Sequence, residues 1–195
     1  LSLLLFLVLC LHTFLSCSSD MKIKDLIKRE VERQKSTINL IASENYASKT
    51  VLETLGSPLT NKYAEGYSRN RYYGGNKIID KLEETVQNLA LKIYKLQPEE
   101  WSVNVQPYSG SPANIAIYFA LVPVGEKIMG MQLDMGGHLT HGHKASATGK
   151  LWKQVPYGVS EERELLDYNE ILTIAQREKP KLIICGFTAF PRIID

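Results

Sequence analysis

Cysteine is scarce in this chain of 195 residues: three thiols, at Cys10, Cys17 and Cys185, without close spacing between them. So odd and sparse a set excludes a disulfide framework and a cysteine-based zinc site. Cys185 lies in an apolar run and reads as a buried thiol. An excess of charge of one sign is lacking too. Lys and Arg number 23 against 21 Asp and Glu, and no basic run reaches the length of a nucleic-acid patch. Internal repeats and low-complexity linkers are absent. The chain has the length of one domain at most, and enough residues to bury a core.

Arginine is missing from the first twenty residues, which argues against a mitochondrial presequence. Leu1 to Leu15 is almost wholly apolar, and Ser16 to Ser19 is small and polar, the pattern of a secretory h-region and cleavage zone. An initiator Met and a basic n-region are both missing from that pattern. The run is also short of the ~20 residues that span a bilayer. Met21 opens Met-Lys-Ile-Lys-Asp, an ordinary start for a soluble helix. Residues 1–20 therefore read as an apolar leader or as spurious upstream translation, and the expected location is cytoplasmic, with no membrane partner.

What is present alternates between two periods. Lys22 to Lys35 carries Ile23, Ile27 and Val31 at a four-residue step, an amphipathic helix. Thr37 to Ser43 is a short apolar extended piece. Val51 to Leu55 is a helical turn closed by Gly56-Ser57-Pro58. Lys77 to Leu96 is the clearest helix, with Ile78, Ile79, Leu82, Val86, Leu89, Ala90 and Ile93 in one stripe and Pro98 ending it. Trp101 to Val105 is a strand candidate, Pro112 to Leu121 a buried helix, Lys127 to Leu133 a strand and Trp152 to Val155 a further short strand. Leu166 to Arg177 is helical. Leu182 to Phe187 is a continuous apolar run, the mark of a strand covered on both faces. Strands alternating with helices predict an α/β layered sheet.

Three segments carry candidate chemistry. Tyr108-Ser109-Gly110-Ser111-Pro112-Ala113-Asn114 sits where a strand gives way to a helix. Ser111 suits an N-cap and Pro112 a first helical residue. Two readings stay open on the residues alone: an ordinary Ser-Pro cap, or an anion site made of free N–H groups, hydroxyls and the positive helix end. Gly136 to His143 places three histidines in a glycine-rich loop. A metal site, a polar surface loop and an imidazole laid against an aromatic ligand are all readings of it. The spacing matches no metal motif, and no cysteine or carboxylate cluster supports one. Thr60 to Gly75 packs four tyrosines, Glu65, two arginines and three glycines into a loop that is costly to order. A carboxylate among tyrosines can be desolvated into a general acid–base group, or stay solvated in an aromatic cluster. Arg69 and Arg71 read as surface or structural charges.

Taken with Ile41 to Tyr46 (IASENY), these segments resemble the serine hydroxymethyltransferase family over about Lys24 to Asp195. The resemblance implies fold-type-I pyridoxal-phosphate architecture, an aspartate-aminotransferase-like α/β large domain with an N-terminal helical arm. The implied division is 1–20 as leader or spurious translation, 21–60 as arm, and 61–195 as the front part of the cofactor-binding domain. The implied reaction interconverts serine plus tetrahydrofolate and glycine plus 5,10-methylenetetrahydrofolate, in a homodimer or homotetramer. Ser109, Gly110 and Ser111 would hold the phosphate of pyridoxal 5'-phosphate, and His138 would stack on its ring. Glu65 would transfer protons. Tyr63 and Tyr73 would reach the site from the neighbouring subunit, Tyr63 on the cofactor side and Tyr73 toward catalysis and substrate. Ser43 would contact the amino-acid substrate, and Leu133, Gly137 and Leu139 would line the folate pocket.

The match has departures. Thr188 stands where the family more often has Ser near the cofactor ring, and Met135 where a polar or charged residue is common. The family's cofactor lysine, the aspartate on the pyridine nitrogen and the substrate-carboxylate arginine match positions beyond Asp195, and neither Lys144 nor Lys150 takes that lysine's place. Residues 1–195 by themselves are thus expected to be inactive, with an apolar sheet edge that favours aggregation. Three alternatives are a folate-independent β-hydroxy amino-acid aldolase, a truncated paralogue that binds a full-length subunit, and a secreted or anchored binding protein resting on Leu1 to Leu15 alone.

Overall fold

The computed structural model describes residues 17–194, and the apolar Leu1–Leu15 run lies outside them. Among the described residues no helix is long and apolar enough to cross a membrane. The chain divides into two compact units, Leu1–Glu44 and Asn45–Asp195. In the first, α1 (Cys17–Ser36) places Ile23, Ile27 and Val31 on one exposed stripe. The Arg33 guanidinium, 2.6 Å from Glu30, lowers that carboxyl to about 2. Residues 37–43 run on as irregular chain.

The second unit begins with α2 (Lys49–Leu55), capped by Ser48, whose Oγ accepts the Val51 N–H. A 3-10 turn, Pro58–Asn61, leads into the tyrosine-rich loop, which folds as a hairpin of β1 (Gly66–Tyr67) and β2 (Asn70–Arg71). Gly66 has φ +100°, and a Cβ there would meet the Asn70 carbonyl oxygen at 2.5 Å, so only glycine fits. The hairpin is clasped to α3 (Lys77–Tyr94) by one buried guanidinium. Arg71 donates Nε–H to Asp80 Oδ1 at 2.8 Å and Nη1–H to the carbonyls of Ala64 and Gly66 at 2.7 Å. Its Nη2 lies 2.8 Å from Glu83 Oε2, as an ion pair off the hydrogen-bond line. Arg71 is therefore structural, whereas Arg69, paired with Glu84, is a surface charge.

Along α3 the sequence stripe behaves unexpectedly. The helix buries Leu91, while Ile78, Leu82, Val86, Leu89 and Ile93 are all exposed.

Beyond α3 the architecture is mixed α/β around a parallel sheet in the order β4–β3–β5. Its elements are α4 (Gly110–Leu121), β3 (Lys127–Met131), α5 (Ala147–Leu151), β4 (Lys153–Tyr157), α6 (Tyr168–Glu178) and β5 (Leu182–Ile183). β3 is central, with Met129 opposite Val155 on one side and Ile183 on the other. Its alternation builds two cores. Ile128 packs with Tyr118, Val122 and Trp152 beneath α4, while Met129 and Met131 pack with Val155, Tyr157 and the α6 side chains Ile171 and Ile174. The Trp152 indole N–H donates to the Val122 carbonyl at 3.1 Å, which satisfies the polar end of a buried ring.

Three expectations are corrected here. Trp101 to Val105 is no strand: among the described residues no strand pairs with it, and the neighbouring Gln106 amide bonds the Gly66 carbonyl instead, at 2.8 Å. The last strand is confined to two residues and is not covered on both faces. It lies at the sheet edge, where period two turns Leu182 and Ile184 into the core and leaves Ile183 exposed. For the same reason Cys185 is exposed, not buried.

Candidate functional site

The helix start that the sequence places at Ser111 comes two residues earlier. Ser109 is the extended N-cap of α4, with φ −159° and ψ 172°, and Gly110 opens the helix. Pro112 therefore falls at the third helical position, where it has no N–H to leave unpaired. The N–H groups of Gly110 and Ser111 have no carbonyl a turn behind them. The hydroxyls of Ser109 and Ser111 make no hydrogen bond among the described residues. Nothing lies within 4 Å of where a Gly110 Cβ would sit, so the approach to these donors is open. Unpaired N–H groups and two hydroxyls at the positive end of a twelve-residue helix make an anion cradle.

The histidine loop follows β3. Gly137 is buried, its N–H donating to the Gln132 carbonyl at 2.9 Å, and a Cβ on it would run into the Met131 carbonyl. His138 then caps a 3-10 turn, Leu139–His141, reciprocally: its Nδ1 accepts the Thr140 N–H at 3.1 Å, and His141 Nδ1 accepts the His138 N–H at 3.2 Å. His141 is buried, and its pKa is lowered, by burial first, against the raising effect of a bond to the Met131 carbonyl. It staples the loop to β3, whereas the His138 ring stays half-buried. His143 is half-buried and accepts the Ala145 N–H at 3.2 Å. Gly136 draws in the chain after β5, its carbonyl accepting the N–H groups of Thr188 (2.8 Å) and Ala189 (3.1 Å).

These elements converge. Ser109, Gly110, Ser111, Asn114, His138, His141 and the segment from Ile184 to Thr188 line one open pocket of about 460 Å³. Five residues singled out in the sequence, Ser109, Gly110, Ser111, His138 and Thr188, thus line one pocket. Others stand apart. Tyr63 and Tyr73 pack edge to face, with centroids 5.3 Å apart, and with Glu65 they are exposed on the hairpin side and absent from this pocket's lining. Among the described residues the burial expected around Glu65 is not supplied, because the loop's tyrosines turn to solvent. Leu133 and Leu139 are exposed, and Leu133 lines a neighbouring cleft with Gln132, Asp134 and Lys144. Ser43 is exposed in the first unit.

Two polar residues lacked a role on sequence grounds. The Asn114 amide donates to Thr140 Oγ1 at 2.9 Å, and Thr140 Oγ1 lies 2.7 Å from His138 Nδ1. Their only signal was a polar side chain in an otherwise apolar helix and a threonine between two histidines. Among the described residues no three His, Cys, Asp or Glu side chains converge as a metal site.

The serine hydroxymethyltransferase family model matches residues 17–195. A relative named serine hydroxymethyltransferase from Methanosarcina barkeri is 52% identical over 177 residues, covering 91% of this chain and 42% of its own length. One of the same name from Acidothermus cellulolyticus is 51% identical over 178 residues, covering 91% and 41%. A third, from Nostoc punctiforme, is 50% identical over 182 residues, covering 93% and 42%. The chain thus spans about two fifths of the length of these curated relatives. On a family match that runs through the anion cradle, the histidine loop and the Thr188 segment alike, the chain belongs to the serine hydroxymethyltransferase family.

Proposed function

We propose that this chain supplies the phosphate-and-ring half of a fold-type-I pyridoxal 5'-phosphate site. The proposed reaction exchanges the serine hydroxymethyl carbon with tetrahydrofolate, leaving glycine. One observation carries the reading: an anion cradle, a half-buried imidazole and the hydroxyl-bearing segment that follows β5 line a single pocket. When bound, the cofactor supplies an electron-withdrawing ring that stabilises negative charge on the amino acid's α-carbon.

The chain's own residues do the rest. Gly110 and Ser111 N–H groups and the Ser109 and Ser111 hydroxyls donate to phosphate oxygens, aided by the α4 dipole. His138 covers one ring face, and Thr188 offers a hydroxyl beside it. No lysine lines the pocket, so covalent attachment requires a lysine from outside its described walls.

Glu65 holds and moves a proton at the substrate hydroxyl, with Tyr63 and Tyr73 beside it, and this trio serves the pocket of a second subunit. The exposed stripe from Ile78 to Ile93 supports such a contact, since an apolar face of that width is commonly covered by protein. Ser43 binds the amino acid, and Leu133, Gly137 and Leu139 border the folate side.

The test compares pyridoxal 5'-phosphate with pyridoxal by fluorescence titration of the chain. Tighter binding of the phosphorylated form, lost in Ser109→Ala/Ser111→Ala, supports the reading; equal affinity of the two sinks it. Serine-to-glycine turnover is measured in a chain extended to the relatives' length.

A further inference from the structure

We propose that Asn114 and Thr140 are positioning residues for His138, fixing its ring in one orientation and as one tautomer. The geometry alone carries the statement about the ring. Its consequence for catalysis rests on the pyridoxal-phosphate reading above.

A backbone N–H can only donate. The Thr140 N–H points at His138 Nδ1 from 3.1 Å, so Nδ1 must present its lone pair. A neutral imidazole then keeps its proton on Nε2. The Thr140 hydroxyl strengthens the same choice. It has one proton, and the Asn114 amide donates to its oxygen at 2.9 Å, so that proton is free to turn toward Nδ1, 2.7 Å away. The three groups form a directed chain from Asn114 through Thr140 to His138.

Burial makes the chain rigid. Thr140 is 3% exposed, so water does not compete for its hydroxyl. Tyr118, packed in the core beneath α4, is 3% exposed, and its buried hydroxyl has no hydrogen-bond partner among the described residues. On the other side His141 Nδ1 holds the His138 N–H, which fixes the backbone from which the ring projects. Nε2 stays without a hydrogen bond on a residue that lines the pocket, and the ring meets that of His141 edge to face, with centroids 6.0 Å apart. An unrestrained imidazole has a broad, roughly two-fold second torsion. Ordering it only when a ligand arrives would weaken binding, and the Asn114–Thr140 pair orders it beforehand.

The test is long-range proton–nitrogen NMR of the chain labelled in histidine. For His138 the expected pattern is an unprotonated Nδ1 and a protonated Nε2. Thr140→Val removes the hydroxyl at nearly constant shape, and should raise the Nδ1-protonated share roughly fivefold, the effect of one ordinary hydrogen bond. Thr140→Ser should restore the original pattern. Asn114→Ala, at a half-buried position, should act in the same direction as Thr140→Val and serves if the valine variant does not fold. His141, held by other partners, reports that the loop is intact. Pyridoxal 5'-phosphate affinity should fall roughly fivefold in Thr140→Val and recover in Thr140→Ser. A wild-type ring protonated on Nδ1 overturns the proposal, as does a His138 spectrum indifferent to both variants. If the spectra behave as stated while pyridoxal 5'-phosphate does not bind, the positioning stands and the cofactor reading falls.

Discussion

A Cβ built on Gly130 would lie 2.9 Å from the Cβ of His141 and 3.3 Å from Ile184 Cδ1. The middle of the central strand is hollowed so that an imidazole from the following loop can lie against it. Gly130→Ala should therefore act as an overpacking substitution. The expected loss is about 1–3 kcal/mol in urea unfolding, accompanied by displaced His138 and His141 resonances. Unchanged stability together with unchanged histidine signals would show that the loop does not rest on the strand.

Tyr157 reaches across the sheet, its hydroxyl donating to the Ile184 carbonyl at 2.8 Å. Burial first, then Cys185 and Tyr168, push its pKa up to about 12 from an ordinary 10.0. The sign follows from proton binding. Between those two values the unfolded chain releases the proton and the folded chain keeps it, so the contribution is full below the unfolded value and fades as pH rises toward the folded one. Spectrophotometric titration should find one tyrosine ionising near 12, absent in Tyr157→Phe. That variant should be less stable by about 1 kcal/mol, because it leaves a carbonyl without its donor.

The elements read most clearly were those whose signal is local. Lys127 to Met131 is apolar on both faces because it is the sheet's centre, and that shows in the sequence. The strand at Lys153–Tyr157 runs past Val155 through Pro156, which an edge position tolerates because a missing N–H matters less there. Trp101 to Val105 has the same β-rich character and stays irregular, since strand pairing is a property of two segments and one segment cannot declare it. Cap position at Ser109 or Ser111 is likewise ambiguous in a Ser-Gly-Ser-Pro string, and the backbone chose the earlier serine. The anion cradle was legible as a motif, but the Asn114–Thr140 contact joins residues 26 positions apart and leaves no periodic trace. Glu65 among its tyrosines reads as buriable, yet among the described residues Glu65 and the loop's four tyrosines are all exposed.

Gly110 has room beside it, and it opens a helix without needing a left-handed backbone. Gly110→Asp should leave the fold intact, because an acid in a helix's first turn is favourable. The same carboxylate would fill and repel the proposed phosphate position. Pyridoxal 5'-phosphate affinity should fall by at least roughly tenfold, by like-charge repulsion at close range, while thermal unfolding stays put. Retained affinity would move the anion elsewhere.

Arg71 donates to two carbonyls of the tyrosine-rich loop and to Asp80 on α3. Arg71→Met keeps the length of the side chain and removes those donors. Limited proteolysis between Thr60 and Gly75 should become markedly faster, with the sheet unaffected. The clasp should also open in acid. Asp80 is held below its ordinary 3.8, chiefly by its hydrogen bond from Arg71. Its contribution is therefore full above that value and is lost as pH falls through the lower, folded one. Loop proteolysis by an acid-active protease that did not rise below that value would contradict this assignment.

The sheet order has a consequence for the growing chain. β3 emerges from the ribosome first, β4 pairs with it on one edge, and the other edge waits for β5. The Lys127 and Met129 carbonyls accept the N–H groups of Lys181 and Ile184 on that side, roughly fifty residues later. At about 5–20 residues per second, that edge stands open for several seconds. During that interval the residues of the Ser109–Ser111 cradle and of the histidine loop have been synthesised, but the segment from Ile184 to Thr188 that lines the pocket with them has not. The newborn protein passes through a stage that holds every donor of the cradle and the histidine loop but lacks the segment that faces them, which makes this the interval when a chaperone, or a neighbouring nascent chain, can reach the open edge of β3.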